Sequence, residues 1–163
     1  SDGKVPEAAV EQAMDDAFAA YTVWYMIADP YKWQTVLDRK AGEWGTNEAK
    51  KPVVVDFPTN VERRMDEAIQ LWSTAFRTGE GEFTHDGDPV VTLHALNAAL
   101  ANGGRKAPRE DDHEVVSDHY LKVVKKKPGW LIDAYVAGVL ATFGRGLAIE
   151  HGALQQLDGF NIW

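Results

Sequence analysis

Two aspartates stand where a carboxylate is expensive to keep. Asp133 opens the small-residue apolar stretch Ile132-Asp-Ala-Tyr-Val-Ala-Gly-Val-Leu-Ala141, directly after the basic run Lys122-Val-Val-Lys-Lys-Lys-Pro128. Asp29 ends the apolar run Val23-Trp-Tyr-Met-Ile-Ala-Asp29-Pro30. An acid beside so much apolar sequence calls for a cation, and a bound metal is the leading candidate. Each acid also has a plain structural reading. An aspartate before proline is an ordinary helix N-cap, and a carboxylate in a first helical turn gains from the helix dipole. Thr84-His-Asp-Gly-Asp88 adds a histidine and two acids in one turn: Asp88 reads as the cap of the next helix, leaving His85 and Asp86 open as site neighbours. His94 and Asn97 lie three apart on one helix and share a face, with buried polar packing as their expected role.

Other chemistries are excluded or weak. The chain has no cysteine, which removes disulfides, thiolate zinc sites and cysteine nucleophiles, so any metal must sit on oxygen or imidazole. No GxxxxGK[ST] phosphate loop occurs, and Gly79-Glu-Gly-Glu82 opens no helix. Ser73 and Ser117 lack the sharp turn that frames a nucleophilic serine. A formal charge of −8 argues against binding nucleic acid through bulk electrostatics. A DNA partner would need local lysines and bound cations to overcome that field.

The elements that must position these residues follow from periodicity. The length fits a single domain over residues 1–163, and the 45% apolar share with six tryptophans is that of a globular chain. No apolar run approaches a membrane span, and residues 1–22 lack a signal peptide's layout, so a cytosolic protein is the default. Val10, Met14, Ala17 and Phe18 mark a first helix after Pro6. Residues 22–28 read as a strand covered on both faces. Trp33 to Trp44 reads as a helix ending at Gly45, and Val53-Val-Val-Asp-Phe57 as a second strand. Strand, helix, strand with short links is a βαβ unit with parallel strands. Thr59-Asn-Val-Glu62 is a capping box opening a helix with Val61, Met65, Ala68, Ile69, Trp72 and Phe76 on one face. A further helix is expected over Val90–Ala101 after Asp88-Pro89, then a mobile loop over 102–118, a short strand at Tyr120–Val124, and a long helix from about Leu131 to Glu150. Residues 151–163 read as a fraying tail. The fold class is α/β, a parallel βαβ core with flanking helices.

The order of these pieces carries more than any one of them. Asp29-Pro-Tyr-Lys-Trp33, a strand, a long helix, His85-Asp-Gly-Asp-Pro89, Leu93-His-Ala-Leu-Asn97-Ala, the lysine run and Ile132-Asp-Ala-Tyr-Val-Ala137 together resemble the carboxyl-terminal part of tailed-phage terminase large subunits. The similarity runs over about residues 5–150. It implies an RNase H-like nuclease that cuts concatemeric viral DNA during genome packaging in the cytoplasm of a bacterial host, from a phage or a prophage. The resemblance further implies acids holding Mg2+ or Mn2+ in a two-metal site, with Asp29 matching the acid at the end of the fourth strand and Asp133 the acid on the last helix. Lys122, Lys125, Lys126 and Lys127 are the candidate contacts to DNA phosphates, set against the bland reading of a solvated charge run. Implied partners are double-stranded viral DNA, the ATPase domain of the same large subunit, the portal and the small terminase subunit, with no membrane.

This sequence departs from the family pattern in three places. Leu131 stands where a basic residue is expected, no ATPase segment is present, and the opening strand with its own acid is missing. A fragment of a nuclease domain is therefore expected, lacking its first strands, with doubtful activity alone and an exposed sheet edge at residues 22–28. A different class of function competes with this one: a non-catalytic domain docking on the portal or another packaging subunit through Trp24, Trp33, Trp44, Trp72, Trp130 and Trp163. A small-molecule α/β enzyme would need a closed pocket that the sequence does not announce.

Overall fold

The computed structural model describes residues 5–77, 87–105 and 119–153. The chain forms two compact units, one of residues 1–57 with 144–163, the other of residues 58–143. Among the described residues no helix is long and apolar enough to cross a membrane.

In the first unit, α1 (Glu7–Ala20) starts after Pro6, whose fixed φ suits a helix entry. A parallel pair follows, β1 (Met26–Ala28) with β2 (Val54–Asp56), joined through α2 (Gln34–Trp44). The expected βαβ unit is present, with Met26 opposite Val54 and Ala28 opposite Asp56. Its strands are short: β1 covers only the end of the expected 22–28 strand and is half-buried rather than covered on both faces. Pro52 and Pro58 flank the partner and cannot donate to a ladder. The Trp24 carbonyl accepts from the Asn47 side chain, outside any ladder, at 3.2 Å. Gly45 closes α2 at φ 60°, a conformation that favours glycine.

Val36, Leu37, Val53, Val54 and Phe57 form the core of this unit. Outside it, α1 meets α2 through polar and aromatic contacts. Phe18 stacks on Trp44 with ring centroids 3.4 Å apart. The Lys40 ammonium is buried and donates to Asp15 and, at 3.0 Å, to Glu43, while Arg39 donates to Glu11. The hydrogen bond to Asp15 raises the Lys40 pKa above its ordinary value, outweighing burial, and Arg39 lowers that of Glu11.

The second unit contains α3 (Glu62–Arg77), α4 (Pro89–Asn97), the antiparallel pair β3 (Ala98–Arg105) and β4 (His119–Lys125), and the first part of α5 (Asp133–Glu150). On the expected face of α3, Met65, Ala68 and Ile69 are buried, whereas Val61 and Phe76 are exposed. Buried Asp66 accepts from the Leu121 N–H at 2.8 Å, and Glu62 accepts from Gly104 N–H at 2.7 Å, so α3 grips the hairpin through two acids one turn apart. The Glu62 carboxylate crosses Gly103 and Gly104 so closely that a Cβ on either would meet it within 3 Å.

Two expectations fail here. The helix expected over Val90–Ala101 ends at Asn97, and residues 98–105 form a strand where helix and then loop were expected. Ala-Ala-Leu-Ala favours helix, but Ala98 to Asn102 pair with Lys125 to Leu121, and this ladder overrides local propensity. Ala98 is already extended, and the Asn97 carbonyl accepts from the Lys126 N–H at 2.9 Å. The rest of the expected loop, 106–118, and most of the tail lie outside the described residues.

On α5, Trp72 of α3 packs against Gly138, where a Cβ would stand 2.8 Å from the indole. Phe76 and Tyr135 meet the same indole edge-on at 4.7 and 5.8 Å between centroids. Val139, Leu140 and Phe143 complete the buried side of this part of α5, and Ile132 just ahead of the helix is buried as well. The last residues of α5 belong to the first unit, where Gly144 lies against Ile27 of β1 and His151 Nδ1 is 2.7 Å from the Tyr25 hydroxyl.

Candidate functional site

Asp29 follows β1 at the carboxyl end of the parallel pair, the end where open α/β sheets receive ligands. Its Oδ1 accepts from the Tyr31 N–H at 3.0 Å. That bond makes a short side-chain turn ahead of α2 and not a cap on it: α2 begins at Gln34, and Trp33 in the N-cap place gives no side-chain bond. In the same loop Lys32 has φ 66°, a left-handed conformation that costs a lysine of order 1 kcal/mol.

A second acid stands at the same end and escaped the sequence reading. Asp56 closes β2 opposite Ala28, and Gln34 at the start of α2 donates to its Oδ2 at 3.0 Å. Its signal was present in Val53-Val-Val-Asp56, which ends an apolar strand on an acid as residues 23–29 do. The βαβ unit thus brings two carboxylates, Asp29 and Asp56, to one sheet end.

Asp133 is the first residue of α5 and is exposed. Among the described residues no donor or cation is paired with its carboxylate, though everything beside it is held. The Ala134 N–H donates to His94 Nδ1 at 2.9 Å, which requires the proton of this neutral ring on Nε2. Asn97 Nδ2 donates to the Leu131 carbonyl at 3.0 Å, and Ile132 is buried. The expected buried role of His94 and Asn97 is therefore observed, and its object is the start of α5. The expected capping role of Asp88 is observed too: its Oδ1 accepts from Val90 and Val91 at 2.7 and 2.9 Å, with Pro89 in the first turn.

Asp29 belongs to the first unit and Asp133 to the second. His85 and Asp86 lie outside the described residues. The lysines divide: Lys122 is half-buried on β4, and Lys125, Lys126 and Lys127 are exposed. Lys126 donates to the Leu96 carbonyl at 2.7 Å, closing the carboxyl end of α4, and the Lys127 ammonium lies 4.9 Å from the Trp130 ring. Among the described residues no three His, Asp or Glu side chains converge as a metal-holding group. A pair of carboxylates still suits magnesium, which takes one or two of them and completes its shell with water and substrate phosphate.

No protein-family model matches the chain, and no solved structure matches it. Sequence similarity does reach known proteins: the gene 13 proteins of Mycobacterium phages L5 and D29 are each 30% identical to it over 148 residues. The chain is similar to a bacteriophage protein. The match covers 85% of this chain and 22% of each relative, so the chain spans about a fifth of their length. The bacteriophage affiliation expected from the sequence is supported by these relatives, whose names state no activity.

Proposed function

We propose that this chain forms the nuclease region of a tailed-phage terminase large subunit, an RNase H-like, divalent-metal-dependent endonuclease acting on concatemeric viral DNA. The observation that carries the reading is Asp133: an exposed carboxylate at the head of α5, without a partner among the described residues, on a backbone held on both sides. Asp88, by contrast, is spent on the first turn of α4. Asp29, at the carboxyl end of a parallel strand in the other unit, is the other acid proposed to hold metal, and the phage relatives agree with the source.

Divalent ions bound by such carboxylates supply an activated water and charge that stabilises the leaving oxygen of a phosphodiester. The residues of this chain perform the remainder. Asp29 and Asp133 hold and orient; Asp56 is placed to assist Asp29; Lys122 and Lys125 offset phosphate charge that a net −8 would otherwise repel. Lys126 and Lys127 are less available, because each ammonium already has a local contact.

A second reading, a domain docking on the portal or another packaging subunit, is favoured by one feature: α4 exposes Val90, Leu93 and Leu96 at 57%, 55% and 63%. Crystals soaked in manganese separate the two. An anomalous peak on the carboxylates of Asp29 and Asp133 is the expected outcome. A clean map at both acids, in crystals where both are open to solvent, sinks the metal reading and leaves docking.

A further inference from the structure

His94 and Asn97 lie one turn apart on α4, both are buried, and both spend their polar atoms on the residues that bracket Asp133. We infer that His94 and Asn97 are positioning residues for the Asp133 carboxylate, holding it where a divalent cation binds. This role presupposes Asp133 as a metal ligand.

A helix needs acceptors for its first N–H groups, and most helices take one from their own N-cap side chain. In α5 that place falls to Ile132, whose apolar, buried side chain can accept nothing. The acceptor comes from another helix instead: His94 Nδ1 takes the Ala134 N–H, while Asn97 secures the Leu131 carbonyl just ahead of the helix. With residues 131, 132 and 134 all fixed, the backbone of Asp133 cannot turn about the helix axis, and only its own two side-chain torsions remain.

The contrast with α4 shows what this arrangement achieves. There Asp88 occupies the N-cap place, and its carboxylate is consumed by Val90 and Val91. An Asp or Ser at position 132 would cap α5 just as cheaply. The chain instead places the acid one residue further in and caps the helix from α4, and among the described residues the Asp133 carboxylate has no partner. Groups that orient metal ligands in this way are commonly worth about 10–100-fold in metal affinity.

The test titrates Mn2+ into the chain and follows paramagnetic broadening at Asp133, together with hydrogen exchange of the Ala134 amide. His94→Leu keeps the volume and removes the acceptor; His94→Gln keeps an acceptor. We expect His94→Leu to weaken Mn2+ binding about tenfold or more and to speed Ala134 exchange, and His94→Gln to restore most of both. A His94→Leu protein that is folded, exchanges faster at Ala134 and binds Mn2+ like the unaltered chain overturns the positioning role while leaving the metal reading intact. Unaltered protein showing no Mn2+ effect at Asp133 overturns the metal reading and this role with it. Should His94→Leu not fold, Asn97→Ser, which frees only the Leu131 carbonyl, carries the same two outcomes.

Discussion

Replacing Asp133 by alanine separates a carboxylate that serves the fold from one that serves a ligand. The side chain is exposed and, among the described residues, unpaired, so the fold loses only its interaction with the helix dipole, about 0.3–1 kcal/mol. Alanine returns about half a kcal/mol through its better helix propensity. For a chain of this size 1 kcal/mol moves Tm by about 2–4 °C, so Asp133→Ala should leave Tm within about 2 °C of the starting protein. Asp88→Ala is the control, because it removes an N-cap that accepts two N–H groups. Its cost is about 1 kcal/mol, a fall of about 2–4 °C. Mn2+ then reverses the ranking. At a hundred times its Kd a ligand adds about 2.7 kcal/mol, and the unaltered chain and Asp88→Ala should both gain about 5–11 °C. Asp133→Ala should gain almost nothing. Thermal unfolding followed by circular dichroism, with and without Mn2+, reads all of this at once. If Asp133→Ala unfolds as early as Asp88→Ala and still gains the full Mn2+ increment, Asp133 is a structural residue and the reasoning fails.

Gly138→Ala should lower stability by up to about 2 kcal/mol, since overpacking costs about 1–3 kcal/mol and helix propensity returns close to 1. The indole that its new Cβ meets at 2.8 Å is fenced by Phe76 and Tyr135 and has little room to move. A urea midpoint that does not fall, at unchanged slope, would show that Trp72 slides aside. The contact between α1 and α2 should fail at both ends of the pH scale. Lys40, raised by its bond to Asp15, stabilises fully below its ordinary value of 10.5 and loses this as pH rises through the raised value. Glu11, depressed by Arg39, stabilises above 4.5 and loses this as pH falls through the lowered value. Near-ultraviolet circular dichroism of the Phe18–Trp44 stack reports both transitions, and in Lys40→Met only the acid one should remain.

How legible this molecule is in its sequence depends on how local each signal is. The helices with periodic apolar faces, the βαβ order and the Asp88-Pro89 cap rest on neighbours a few residues away and were all readable. Residues 98–105 were not, because what makes Ala-Ala-Leu-Ala a strand is β4, about twenty residues downstream. The length of β1 likewise depends on its partner, since only Met26 to Ala28 find Val54 to Asp56 to pair with. At the candidate site, Asp29 was legible as an acid ending an apolar run and Asp133 as one opening another. Asp56 was passed over although it had the same signature. The trans cap from His94 was invisible, since nothing in Leu93-His-Ala-Leu-Asn97 says which backbone group lies 40 residues away.

The acids of this chain show why residue type says so little until the backbone is known. Asp88 sits in the N-cap place and is consumed by its own helix. Asp29 lies beyond a strand and folds back on Tyr31. Asp66 sits mid-helix, where burial would be prohibitive had Leu121 no N–H to give. Asp133 stands one residue inside a helix whose cap arrives from elsewhere, and among the described residues its carboxylate has only the helix dipole to serve. Exposed acids are common and most mean nothing. What distinguishes this one is that two buried side chains of another helix are spent on the backbone beside it and none on the carboxylate itself. A buried histidine and asparagine whose polar atoms are paired rigidify what they hold, and what they hold here is the backbone on either side of Asp133.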